Sequence, residues 1–105
     1  MYYINSSGSS ALSYSLDPKP DWQLEHIALH LGAASTGGIL YVTLDSVNGA
    51  AYDTAILTQN TSTEFTDLFY QPDRRIAFDA GDIVKIVWTN PSTCAYGLTI
   101  AYSVL

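Results

Sequence analysis

Charge is scarce in this chain of 105 residues: four Lys and Arg stand against ten Asp and Glu, a net charge of −6. So few basic side chains exclude clustered contacts with a nucleic-acid backbone and docking on anionic lipid. Cysteine is nearly absent. Cys94 alone permits no intrachain disulfide, so the fold must rest on packing, as suits a chain made in a reducing cytoplasm. No run of about twenty apolar residues occurs to span a membrane as a helix. The opening Met1-Tyr-Tyr-Ile lacks the basic flank and apolar stretch of a signal peptide, so a soluble, unprocessed protein is expected. A nucleophile-elbow motif, a glycine-rich phosphate loop and a repeat of fixed period are also missing.

Apolar residues, by contrast, reach 48%, enough to build a core in one domain of this length. Charged residues at 13% are about half the usual share, which leaves less surface that resists contact and favours an assembly component.

Along the chain, apolar Tyr2, Tyr3 and Ile4 precede Ser6-Ser-Gly-Ser-Ser10, which reads as a flexible spacer. The expected organisation is therefore a flexible N-terminal arm at 1–10 and a folded domain at 11–105. Leu12, Tyr14 and Leu16 alternate with small residues as a short strand, and Asp17-Pro-Lys-Pro-Asp21 stiffens its exit. From Trp22 to Leu31 a helix would gather Leu24, Ile27, Ala28 and Leu31 on one face but turn Trp22 and Leu29 away. The strand pattern, favoured by the β character of everything downstream, turns Ile27, Leu29 and Leu31 inward and His26, Ala28 and His30 outward. Trp22 and Leu24 have the wrong parity for that strand, which predicts a bulge near Glu25.

Asn48-Gly49 predicts a two-residue hairpin joining Ile39–Val47 to Ala50–Thr58. A tight loop would set Leu40 against Leu57 and Val42 against Ala55, leaving Tyr41, Tyr52 and Ile56 on the outer face. Glu64–Tyr70, Ile76–Phe78 and Ile83–Thr89 supply further strands, the last two joined by the turn Asp79-Ala-Gly-Asp82. A closing strand alternates Tyr96, Leu98, Ile100, Tyr102 and Val104 toward the core. Eight or nine short strands without a helix predict an all-β fold, an antiparallel β-sandwich, with a jelly roll suiting the count.

Little in this pattern carries chemistry. His26 and His30 are spaced like a helical zinc pair, but in a strand residues four apart lie about 13 Å from each other. Two outward imidazoles at a surface or interface is the simpler reading. Asp79 and Asp82 could collect calcium, though Asp and Gly also serve such turns for conformational reasons. Cys94 sits in a loop without a nearby His and reads as a structural thiol. Asn60-Thr-Ser matches a glycosylation acceptor by pattern only. No catalytic residue, metal or cofactor is expected. Eight tyrosines and two tryptophans remain, and exposed ones among them suit a protein interface or a sugar ring. The interface candidates are Tyr2, Tyr3, Ile4, Trp22, His26, His30, Tyr41, Tyr52 and Ile56.

Three segments taken together carry a resemblance: Trp22-Gln-Leu-Glu-His-Ile-Ala-Leu-His-Leu, Val42-Thr-Leu-Asp-Ser-Val-Asn-Gly-Ala-Ala-Tyr-Asp-Thr, and Ala80-Gly-Asp-Ile-Val-Lys-Ile-Val-Trp-Thr-Asn with Tyr96-Gly-Leu-Thr-Ile behind it. The chain from about Trp22 to Tyr102 resembles the small virion proteins of tailed bacteriophages, especially the jelly-roll decoration, cement or staple proteins of capsid exteriors. The resemblance implies a non-enzymatic clamp that stabilises the mature shell and needs no cofactor. Its partners would be the major capsid protein and itself, as a dimer or trimer, with Tyr2, Tyr3 and Ile4 reaching a neighbour. It would be made in the host cytoplasm and reside on the capsid exterior. A tail or baseplate component, and a glycan-binding module that loses its sugar when an aromatic such as Trp22 is truncated, are the alternatives.

Overall fold

Each strand with alternating polarity has one face that needs cover, and the chain provides it by stacking two sheets. The computed structural model describes residues 1–35, 37–61 and 65–105. Its strands are β1 (Tyr2–Gly8), β2 (Leu12–Leu16), β3 (Trp22–Ser35), β4 (Ile39–Asp45), β5 (Thr54–Asn60), β6 (Phe65–Tyr70), β7 (Ile76–Phe78), β8 (Ile83–Trp88) and β9 (Tyr96–Val104). Glu64, expected to open the sixth strand, and Ser62 of the glycosylation pattern lie outside the described residues.

The pairings are nested and antiparallel: β1 with β9, β2 with β8, β3 with both β6 and β7, and β4 with β5. The chain is thus one long hairpin with β4 and β5 at its tip, rolled until β9 meets β3 and β8 meets β4. One sheet runs β1-β9-β3-β6, with β7 also on β3; the other runs β2-β8-β4-β5. This is the winding of a jelly roll, the antiparallel β-sandwich that the alternation predicts.

Between the sheets lies one core, with Leu24, Ile27, Leu29 and Ile100 from the first meeting Leu40, Val42, Ile86 and Trp88 from the second. Trp88 Nε1, which could not be left unpaired there, donates to Thr61 Oγ1 at 3.2 Å. Cys94 is buried in its loop. Asn90 anchors that loop: its amide donates to the Ser10 and Cys94 carbonyls and accepts from the Cys94 N–H, all at 2.9 Å.

The predicted bulge is present. The register of β3 on β9 passes from Leu24 opposite Tyr102 to His26 opposite Ala101, so Glu25 is the extra residue. Trp22 and Leu24 therefore join Ile27, Leu29 and Leu31 on the core face. Trp22 is 0% exposed, wedged against Phe78 at 4.6 Å and edge-on to Tyr102 at 5.9 Å. This removes Trp22 from the interface candidates.

Two other expectations are corrected. Residues 1–10 are not a free arm: Tyr2–Gly8 pair with β9 over seven residues without a shift. Ile4, opposite Ile100, packs half-buried on the core, and Tyr2 stacks on Tyr102 at 5.4 Å, so apolar contact anchors the segment that serine content marks as a spacer. Nor does Asn48-Gly49 close a two-residue hairpin. Successive turns run from Ser46 to Asp53, with Gly49 N–H on Ser46 O, Tyr52 N–H on Gly49 O and Asp53 N–H on Ala50 O. Leu40 consequently faces Gln59, Val42 faces Leu57 and Tyr41 faces Thr58. A register shift between Val42 and Thr43 then turns Ile56 half-buried against the core rather than outward.

Candidate functional site: the outer face of the five-stranded sheet

The face of the first sheet that points away from the core is ordered by cross-strand register. Tyr3 of β1 and His26 of β3 both oppose Ala101 of β9. Because Ala101 is small, the two rings lean over it, centroids 6.2 Å apart, and bury it completely. On the far side, Phe69 of β6 packs its ring 5.1 Å from His26. An aromatic strip of Tyr3, His26 and Phe69 thus crosses the sheet from the β1 edge to β6. Its ends are open: Tyr3 is 58% exposed and Phe69 63%.

Beside the strip the face is polar and low. Thr99 Oγ1 donates to Asn5 Oδ1 at 2.9 Å, and His30 Nδ1 donates to Asp67 Oδ1 at 2.6 Å. Gly97 lies between Ser7 and His30 in the register, and a side chain added there would meet nothing within 4 Å. Two shallow hollows of about 350 and 300 Å³ result, sharing His30, Gly97 and Thr99. The strip and the hollows are adjacent parts of one surface.

On the other flank of the strip, the bulge turns the Glu25 carboxylate onto this same face but under cover. Gln23 Nε2 and Ser103 Oγ donate to Glu25 Oε1, each at 2.9 Å, and Arg75 Nε lies 3.2 Å from Oε2. The Ser103 bond is the largest influence holding its pKa below the ordinary value of 4.5; desolvation opposes it, and Gln23 and Arg75 add to it. The His30 hydrogen bond likewise lowers Asp67 from 3.8. In the folded chain both groups bind protons less readily than when unfolded. Their contributions to stability are thus complete above the ordinary carboxylate pKa and fade as pH falls through the folded one. The urea midpoint is expected to drop between pH 6 and pH 3, and the drop to be shallower in Glu25→Gln, which starts from a lower midpoint. An equal drop in the variant would show that Glu25 carries no part of it.

Of the candidates read from the sequence, this face collects Tyr3, His26 and His30. Tyr2 lies at the same edge but on the parity of Ile4: Ile4 packs on the core, and Tyr2, still 56% exposed, stacks on Tyr102 away from the strip. Tyr41 is exposed on the opposite sheet and Tyr52 on the 3-10 turn Ala50–Tyr52, apart from the strip. Phe69, Asp67, Asn5 and Thr99 were not anticipated. For Phe69 a signal existed, since its neighbours Leu68 and Tyr70 pack inward and alternation then sends it out. Asp79 and Asp82 do not form a paired acidic site: both Asp82 oxygens accept backbone N–H groups, from Val47 and Asp79, at 2.9 Å. Among the described residues no group of three or more His, Cys, Asp or Glu is placed to hold a metal ion.

By fold and surface the chain is a jelly-roll β-sandwich with an aromatic strip across the outer face of one sheet. No family model matches the chain, and no curated protein matches its sequence.

Proposed function

We propose that this chain is a non-enzymatic structural protein of a tailed-phage virion, decorating the capsid exterior and docking on the major capsid protein through the outer face of its five-stranded sheet. The observation that carries the reading is the Tyr3–His26–Phe69 strip, with two aromatics more than half exposed on a hydrogen-bonded sheet. Aromatic anchors held on paired strands lose little entropy on binding, and the polar groups flanking the strip suit an interface rim. The segments from Trp22 to Tyr102 that resemble virion jelly rolls supply the kind of partner. A tail or baseplate position would use the same face.

Co-sedimentation with expanded empty shells of the cognate phage tests this. The wild-type chain is expected to bind, and Tyr3→Ala combined with Phe69→Ala to weaken binding by roughly thirtyfold or more. Both side chains are exposed, so the urea midpoint should move little. Binding that survives the double variant would refute the face. A glycan-binding role is the second reading, favoured by the hollow beside Phe69, which His30, Asp67 and Thr99 border with polar groups. It predicts saturable sugar binding lost on Phe69→Ala and on His30→Ala, with no affinity for shells.

A further inference from the structure

We propose that this protein dimerises through β1, two copies pairing Tyr2–Gly8 antiparallel so that their five-stranded sheets become one continuous sheet. Among the described residues β1 is an outermost strand, and alternate N–H and C=O groups along it have no neighbouring strand. Exposed edges invite such pairing, and proteins usually blunt them with charge, proline, bulges or shortness. Among the described residues the other edges carry these devices. β2 has five residues and runs into Asp17-Pro-Lys-Pro; β5 is interrupted by the shift at Ile56; the β6–β7 edge holds Asp67, Pro72, Asp73, Arg74 and Arg75. β1 has none of them in seven regularly paired residues.

Charge points to the same edge. All fourteen charged side chains of the sequence lie between Asp17 and Lys85. β1 comes before them, and β9, the strand it pairs with, comes after. The pairing of the two ends of the chain gives a molecule of net charge −6 one lateral margin without a charged side chain. Two like-charged copies approach with least repulsion there. Full overlap of the strands centres the twofold axis on Asn5, setting Asn5 against Asn5 and Tyr3 against Ser7 of the second copy. Tyr3 of one copy would then border the hollow at Ser7, Gly97 and His30 of the other. The dimer is independent of whether the outer face holds capsid protein or sugar, and it is tested in their absence.

Light scattering and sedimentation of the full chain over a range of concentrations should give a dimer that dissociates on dilution. Amide exchange in 2–8 should slow as the dimer forms. Asn5→Lys and Asn5→Asp each place like charges directly across the new pair and should weaken the dimer by about fivefold or more, whereas mixing the two should restore it. The urea midpoint of each variant checks folding, and exchange in the wild-type chain decides the matter should a variant fail to fold. A single-chain mass into the millimolar range, a dimer whose β1 amides gain no protection, or folded variants that do not recover on mixing would overturn the proposal.

Discussion

Truncation of Trp22 to alanine is expected to cost about 3–5 kcal/mol of unfolding free energy, the usual loss for emptying a large aromatic site in a core. Domains of this size hold only about 5–15 kcal/mol, so the variant gives up a large share of its stability and should unfold at a much lower urea concentration. The cost arises because Trp22 has no solvent exposure and fills the space between Phe78 and Tyr102. Trp22→Phe should lose less, because it keeps a ring in the site and gives up only part of the packing together with the long 3.4 Å indole bond to the Asp82 carbonyl. Urea denaturation followed by circular dichroism measures both. A loss below about 1 kcal/mol for the alanine variant would contradict the burial of the ring. The same result bears on function, since Trp22→Ala should weaken binding only so far as it unfolds the chain, whereas Phe69→Ala should weaken it in a folded one.

Asp82→Ala is the second large effect, expected to cost about 2–3 kcal/mol. The carboxylate is buried and holds two segments far apart in sequence, accepting the Val47 N–H of the β4–β5 connection and the Asp79 N–H of the turn before β8. Hydrogen bonds to a charged acceptor are worth roughly 1.5–3 kcal/mol each, discounted here because Val47 lies at the surface and its N–H can rehydrate. Gly81 beside it adopts φ +91, and a Cβ there would come within 2.9 Å of Val47 Cγ2, so the two loops fit only with glycine. Asp82→Asn should lie between, since its amide accepts through one atom only. Urea midpoints order the three chains. If Asp82→Ala matches wild type, the carboxylate does not tie the loops.

This contact also explains why Asn48-Gly49 misleads. The dipeptide is a strong local hairpin signal, but Asp82 captures Val47 from thirty-five residues away, and Asp53 Oδ1 captures the Ser46 N–H at 2.8 Å. The connection widens into successive turns, and the register moves from Leu40 opposite Leu57 to Val42 opposite Leu57. Parity could reveal the bulge at Glu25, because Trp22 and Leu24 conflict with Ile27, Leu29 and Leu31 on the sequence alone. The consequence for Trp22 also followed, as a bulge that reconciles the parities must carry it inside.

Alternation, turn residues and the scarcity of charge by themselves determined an all-β chain with one core face per strand and the bulge that keeps β3 in phase. These are local properties, fixed by a side-chain period of two. Only the tertiary structure decided which strands pair and in what register. Asn5 meets Thr99, His30 meets Asp67, and Tyr3, His26 and Phe69 form one strip because nested pairing brings distant segments side by side. A shift of one residue in any of these ladders would turn the strip into the core, and the sum of packing across both sheets sets that register.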